Sequence, residues 1–367
     1  MIKKFRNIFL SSIHQNAGKT TVSLGLFHSL KMRKIKTAFI KPVGQQFVHL
    51  GNLEIDKDSY LIGEVYKCNK KKYSLMSPVT IGKGFTEKYI FDPQKGKLEE
   101  KILKSFKGIV SGADAVIVEG TGHAGVGSVI DFSNADVAKL LGSKVIIVSE
   151  GGIGKAIDEI ILNKALFDLR GVEVLGVILN KVLPEKYDKV VRVVRQGLAN
   201  KGIKLLGAIP FEPVLSSPTV EQIQTAMDLK LLCGKDNLRR SVKHIIVAAM
   251  EPHNMAHHIK DGTLVLVSGD RVDNILLAVS SHLIGATHNF TMAGIILTGG
   301  LIPTSKIIDL LEKSGMPVLL AQEDTYSVAA QFKQLTCKIQ KTDAEKLQEA
   351  NRVVKKYVDV GEILKNF

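Results

Sequence analysis

The residues best suited to chemistry open the chain: Ser11-Ser12-Ile13-His14-Gln15-Asn16-Ala17-Gly18-Lys19-Thr20-Thr21. A loop of backbone N–H groups that ends at a helix N-terminus binds phosphate, because its unsatisfied donors and the helix dipole both favour an anion. Gly18 lets the backbone approach closely, Lys19 reaches the outer phosphates, and the Thr20 hydroxyl is a hard ligand for Mg²⁺. Asn16, Ala17, Gly18, Lys19, Thr20 and Thr21 form the expected nucleotide-binding set. The spacing departs from the usual pattern, since Ile13 stands where a glycine is expected.

Mg²⁺ held with a nucleotide takes a few further hard oxygens. Two carboxylates are expected to supply them: Asp58, in Ile55-Asp56-Lys57-Asp58-Ser59, and Glu119, at the end of Ala115-Val116-Ile117-Val118. The expected metal set is thus Thr20, Asp58 and Glu119. Taken alone, Asp58 fits a helix N-cap and Asp56 a solvated loop acid. Glu119 ends an apolar strand, where a doubly wound sheet binds its ligands. Lys41, in Lys41-Pro42-Val43-Gly44, closes the second strand. It is expected to grip an anionic substrate and to act with Lys19 as a catalytic pair; a capping surface lysine is the plainer alternative.

Two other patterns fall short. Gly120-Thr121-Gly122-His123-Ala124-Gly125 spells a dinucleotide motif, but Val126 to Phe132 does not start a helix, and the next strand-end acid, Glu150, comes about ten residues late. Its glycines read instead as chain wrapped around a substrate or phosphate. His123 there is a proton donor, a phosphate contact or a plain loop histidine. His253, His257 and His258 have helical spacing, yet no carboxylate or cysteine completes a metal set.

These groups need a scaffold that carries them to one edge. Over the first ~220 residues, short apolar runs alternate with amphipathic ones. Ile8-Phe9-Leu10, Thr37 to Ile40, Ala115 to Val118, Val145 to Val148, Val174 to Leu179 and Leu205 to Ile209 read as strands. Their uniform apolarity is that of buried parallel strands. Thr20 to Met32 and stretches near 98–108, 155–169 and 186–200 read as helices between them. A second alternation follows, with strands at His244 to Ala248, Thr263 to Val267, Ala293 to Thr298 and Val318 to Ala321. A terminal helix over 342–358 is expected to be capped by Thr342-Asp343-Ala344-Glu345. The fold class is α/β: a doubly wound parallel sheet, then a smaller α/β domain. The expected boundaries are 1–228, 240–340 and a C-terminal helix in 341–367.

Composition narrows the partners. The 367 residues include 50 Lys+Arg and 36 Asp+Glu, a net charge of +14. Residues 1–110 hold 21 and 8 of these, a balance of +13. With 41 Lys against 9 Arg, no Trp and few aromatics, the chain lacks the forks and stacking platforms of nucleic-acid binders. The basic excess reads as solvated lysine around a site for an anionic nucleotide and an anionic small molecule. No apolar run approaches the ~18 residues of a membrane span, and the start of the chain does not read as a signal peptide. Cys68, Cys233 and Cys337 are scattered, which fits a reducing, cytoplasmic setting. A homodimer is left open, since it turns on whether either sheet exposes an edge.

The first ~225 residues resemble the dethiobiotin synthetase-like branch of the P-loop NTPases. The resemblance rests on Ala17-Gly18-Lys19-Thr20, Lys41-Pro42-Val43, Asp58, Glu119-Gly120-Thr121-Gly122 and Gly176-Val177-Ile178-Leu179-Asn180. It implies ATP and Mg²⁺ at Lys19 and Thr20, substrate at Lys41, metal at Asp58 and Glu119, and adenine at Asn180. A guanine-reading N-K-x-D fails at Leu183. The second half is similar to a DRTGG domain, through Val267-Ser268-Gly269-Asp270-Arg271, Leu297-Thr298-Gly299-Gly300 with Pro303, and Asp324-Thr325-Tyr326. Asp270, Arg271, Thr298, Gly299 and Gly300 mark an expected effector site, in which Arg271 binds a phosphate or carboxylate; a structural Asp–Arg pair is the alternative. The two together resemble the N-terminal part of long bacterial phosphotransacetylases, without the catalytic acetyltransferase domain. The expectation is therefore a nucleotide- or metabolite-sensing regulator that is not an acetyltransferase. The alternative is an ATP-dependent ligase acting through a phosphorylated carboxylate or carbamate, or a slow ATPase.

Overall fold

The computed structural model describes residues 6–285, 290–335 and 338–366; Lys3, Lys4 and Cys337 lie outside them. Two compact units divide the chain. One comprises Met1–Glu212 and Ile339–Phe367, the other Pro213–Lys338.

The first unit is built on six strands: β1 (Arg6–Ser12), β2 (Thr37–Ile40), β3 (Ala115–Glu119), β4 (Lys144–Glu150), β5 (Val174–Val182) and β6 (Leu205–Pro210). Their order is β6-β5-β4-β1-β3-β2, and every pairing is parallel. The helices α1 (Lys19–Met32), α2 (Lys57–Val65), α3 (Lys95–Val110), α4 (Asn134–Leu140), α5 (Gly154–Leu169) and α6 (Tyr187–Ala199) fall between the strands. Parallel strands need such crossovers, and the helices cover both faces of the sheet. Every residue of β3 is accordingly buried, as are Val145 to Val148 of β4. The chain moves outward in one direction from β1 to β2 and in the other from β4 to β6. The crevice at the carboxyl end of β1 is thus the topological switch point of the sheet.

The C-terminal segment returns to this unit. Helix α7 (Ala344–Tyr357) lies along α1, and the contact is close because Gly25 has no side chain. A Cβ there would stand 2.3 Å from Val354 Cβ and 2.8 Å from the Ala350 carbonyl. Tyr66 braces the same helix, stacking on Phe27 and donating its hydroxyl to Leu24 O at 2.7 Å. The cap of α7 is Asp343 rather than a box begun by Thr342.

The second unit carries β7 (Lys230–Cys233), β8 (His244–Val247), β9 (Thr263–Ser268), β10 (Gly294–Thr298) and β11 (Val318–Leu320), ordered β7-β11-β10-β9-β8. Only β7 runs antiparallel, against β11. This edge strand was not expected from its sequence, where Leu231 to Cys233 is too short to show a period. Alternate strand residues feed two cores: Val265, Val267, Ile295 and Leu297 enter one, Leu264, Leu266 and Ile296 the other. Among the described residues no helix is long and apolar enough to cross a membrane.

The α1–α7 contact yields a test. Gly25→Val should lower the stability of the first unit by about 1–3 kcal/mol, because the added methyls meet the Ala350 backbone and cannot be absorbed by one rotamer. The midpoint of denaturant unfolding measures it; an unchanged midpoint would refute the close packing.

Candidate functional site

The loop between β1 and α1 lies at the switch point. Gly18 caps α1 with φ 99°, a conformation that favours glycine, and a Cβ there would stand 1.9 Å from Asn180 Nδ2. Lys19 folds back along the loop. Its Nζ donates to Ser12 Oγ at 2.6 Å and to Gly122 O at 3.4 Å. Ser12 therefore fixes Lys19, a role that its sequence context does not advertise. Asn180, buried at the end of β5, donates Nδ2 to Ala17 O at 2.9 Å. The structure thus places this residue against the loop backbone, where the resemblance implied a contact with adenine.

Thr20, the second residue of α1, faces two carboxylates. Its hydroxyl lies 3.1 Å from Asp58 Oδ1 and 3.3 Å from Glu119 Oε1, and Ser23 Oγ donates to Glu119 Oε2 at 2.5 Å. Lys41, only 4% exposed, is paired with Asp58, with Asp56 Oδ1 at 3.3 Å and with Glu119 Oε1 at 3.9 Å. It is a buried site residue and not a surface cap. Asp56 is not a solvated loop acid either: it is fully buried, and its carboxylate caps α2 by accepting from Asp58 N at 2.8 Å. Asp58 sits in the first turn instead, with its side chain turned toward Thr20 and Lys41.

Three buried carboxylates around one ammonium set the electrostatics. Burial pulls the Lys41 ammonium down, but Asp58, Asp56 and Glu119 together outweigh it and hold the group above its usual range. Glu119 is pushed up to about 7, first by burial and then by the charge of Asp58, against Lys41, Ser23 and Lys19. Three buried carboxylates around one ammonium favour a further cation. The oxygens of Thr20, Asp58 and Glu119 fit Mg²⁺, which takes one or two carboxylates and completes its shell with water and phosphate oxygens. Among the described residues no group of three His, Cys, Asp or Glu side chains is placed to hold a metal unaided.

The glycine loop after β3 forms one wall. Gly122 O meets both Ser12 and Lys19. Asn134, the first residue of α4, closes the loop from inside: Oδ1 accepts from Thr121 N at 3.1 Å, and Nδ2 donates to Thr121 O and His123 O at 2.8 and 2.7 Å. These bonds shape a wall, and a single turn of 3₁₀ helix follows it, Ser128–Ile130, so no dinucleotide helix begins here. The His123 ring turns back to accept from Gly125 N at 3.2 Å.

In the second unit the expected effector residues are occupied by their neighbours. Arg271 forks onto Asp273 at 3.0 and 2.8 Å, so its partner is Asp273 and not the exposed Asp270. Thr298 Oγ1 shares a 2.6 Å hydrogen bond with Thr325 Oγ1. Gly299 and Gly300 take positive φ of 77° and 65°, and their N–H groups donate to Glu323 O and Ala321 O. His253 lies in a one-turn helix that ends before His257 and His258.

Two measurements probe the charge cluster. Lys41→Met removes the ammonium that pairs with three buried carboxylates and should cost about 3–5 kcal/mol in denaturant unfolding; a loss no larger than that of an exposed lysine would refute the pairing. Glu119 holds its proton in the folded chain up to about pH 7, whereas an unfolded glutamate loses it near 4.5. Its contribution to stability is therefore present at low pH and lost as pH rises through 7. In metal-free buffer, Glu119→Gln should flatten the fall in unfolding midpoint between about pH 5 and pH 8; an unchanged profile would refute it.

Comparison with known proteins places the chain. The AAA domain family model matches residues 6–219, and the DRTGG domain model matches residues 222–335. A phosphate acetyltransferase of Pseudomonas putida is 28% identical over 97% of this chain and 51% of its own length; one from Pseudomonas aeruginosa is 28% identical over 96% and 50%. The chain spans about half the length of the curated relatives it matches. The septum site-determining protein MinD of Pyrococcus horikoshii, complexed with Mg-ADP, is 21% identical and aligns with a TM-score of 0.36, over 57% of this chain and 83% of that one. The acetyltransferase relatives, matched over nearly the whole chain, overturn the expectation of a regulator that is not an acetyltransferase, together with its ligase alternative. They lend no support to an absent acetyltransferase domain. With the model matched over more than half its residues, the chain belongs to the AAA domain family.

Proposed function

We propose that this chain is the nucleotide-binding portion of a phosphate acetyltransferase, a protein that moves an acetyl group to or from phosphate. The observation that carries the reading is the match to proteins of that name over 97% of the chain. The geometry supports a nucleotide with Mg²⁺ at the switch point of the first unit; ATP is preferred to GTP because Leu183 breaks the guanine-reading pattern. Lys19 and the loop N–H groups would hold the outer phosphates; Thr20, Asp58 and Glu119 would hold the cation. Bound there, Mg²⁺ would neutralise phosphate charge and fix phosphate orientation. Lys41 stands ready to face an anion once Asp58 turns to the metal. The setting is cytoplasmic, and a homodimer is compatible with the two open sheets.

Two assays separate the parts of this reading. ATP binding, followed by calorimetry with Mg²⁺, should weaken by about tenfold or more in Lys19→Ala; binding untouched by this change would remove Lys19 from the site. Preparations of the protein as the cell makes it should form acetyl phosphate from inorganic phosphate and an acetyl thioester. Preparations without acetyl transfer would overturn the assignment.

A further inference from the structure

Successive residues of a strand point to opposite sides of the sheet. At the end of β5 this rule is broken. Asn180 Nδ2 donates to Ala17 O at 2.9 Å, and the next residue, Lys181, donates Nζ to Asn16 O at 2.8 Å. Two neighbours on one strand thus hold two successive carbonyls of one loop. Lys181 reaches the loop because its backbone is left-handed, with φ 56°, a conformation that residues with a Cβ rarely take. Gly151 makes room for the bend: a Cβ there would stand 2.6 Å from Val182 Cα, and its N–H donates to Asn180 O at 2.7 Å. Glu150, which ends β4, steadies the ammonium at 2.7 Å and has His14 Nε2 at 3.4 Å on its other oxygen. On the loop side Asn16 is left-handed too, with φ 64°.

The consequence follows from the planar trans peptide, in which a carbonyl and the next residue's N–H point opposite ways. Drawing the Asn16 and Ala17 carbonyls toward β5 turns the N–H groups of Ala17 and Gly18 away from it. We propose that Asn180 and Lys181 are positioning residues that aim the Ala17 and Gly18 N–H groups at the phosphates of a bound nucleotide. The proposal rests on the nucleotide-binding reading above. The side chain of Lys181 is 34% exposed and fills no core, so packing does not account for its backbone conformation. Strain of this kind persists where surrounding contacts over-determine it, and here those contacts end on the phosphate loop. The two residues act before the ligand arrives, by removing a rearrangement that the loop would otherwise undergo on binding.

The test compares ATP with AMP, which lacks the outer phosphates. Calorimetric affinities with Mg²⁺ are measured on the full chain for wild type, Lys181→Met, Lys181→Gly and Lys181→Arg, beside their thermal midpoints. Lys181→Met and Lys181→Gly should lose about tenfold or more in ATP affinity with AMP affinity little changed. Lys181→Arg should restore most of the loss. Lys181→Gly relieves the backbone and should melt no lower than wild type, which separates positioning from folding. ATP affinity equal to wild type in both Met and Gly variants would overturn the proposal and leave the nucleotide reading standing. So would an equal loss for ATP and AMP. A wild-type chain that binds neither nucleotide would overturn the reading and the proposal together.

Discussion

The constraint on which the first unit depends is the burial of Lys41 with Asp56, Asp58 and Glu119. Each charge left water at a cost of several kcal/mol, which the opposite charges, nearby hydroxyls and the Asp58 N–H offset. The cluster therefore dictates where its carriers go. Lys41 follows β2, Glu119 ends β3, and Asp56 and Asp58 open α2, so these elements must converge at one height. Otherwise irregular chain obeys the same demand. Ser77 Oγ accepts from Asp56 N, Ser59 Oγ donates to Met76 O, and Lys41 N donates to the same carbonyl. Apart from α2, residues 41–80 carry only short elements, and these bonds tie them to the cluster.

Strand order makes this convergence useful. β1 lies between β3 and β4, so the loop leaving β1 has Glu119 on one side and Glu150 on the other. The first belongs to the charge cluster and the second to Lys181. On the β4 side Glu150 acts through Lys181, whose Nζ donates to Asn16 O of the loop; on the β3 side Glu119 bonds Thr20 and Ser23 at the start of α1 directly. Ser12 and Gly122 fix Lys19 between them. The loop's usual first glycine is replaced by Ile13, which is buried and donates its N–H to Val148 O. The bend that a glycine would allow is supplied by anchoring on β4.

What the sequence made legible divides along physical lines. Buried parallel strands are uniformly apolar and helices are periodic, so the six strands of the first unit and its long helices could be read within a few residues. Lys19, Thr20, Asp58, Glu119 and Lys41 do come together, because strand ends in a doubly wound sheet share one edge. Single hydrogen bonds were harder to read. Ser12, Ser23 and Asn134 are ordinary residues whose roles depend on a partner up to 110 positions away in the chain, as Ser12 and Gly122 are. Asp56 was read as solvated because two acids flanking a lysine look like surface, although alternation from Asp58 on a helix start allows one to cap and the other to face inward. The basic excess was read as solvated lysine, and most residues of the lysine-rich runs 31–36 and 67–72 are exposed.

The two units differ in what they leave unbalanced. In the second, Arg271 is matched by Asp273, Thr298 by Thr325, and the turn N–H groups by carbonyls. An anion arriving there would have to displace a partner already in place, so its gain would be the small difference between two similar interactions. In the first, three carboxylates surround one ammonium, and Glu119 is held near neutrality only by its burial and by Asp58. A cation arriving there would relieve repulsion instead of exchanging one partner for another. Free energy of binding is drawn from such imbalance, and the imbalance lies in the first unit, beside the loop that Asn180 and Lys181 hold.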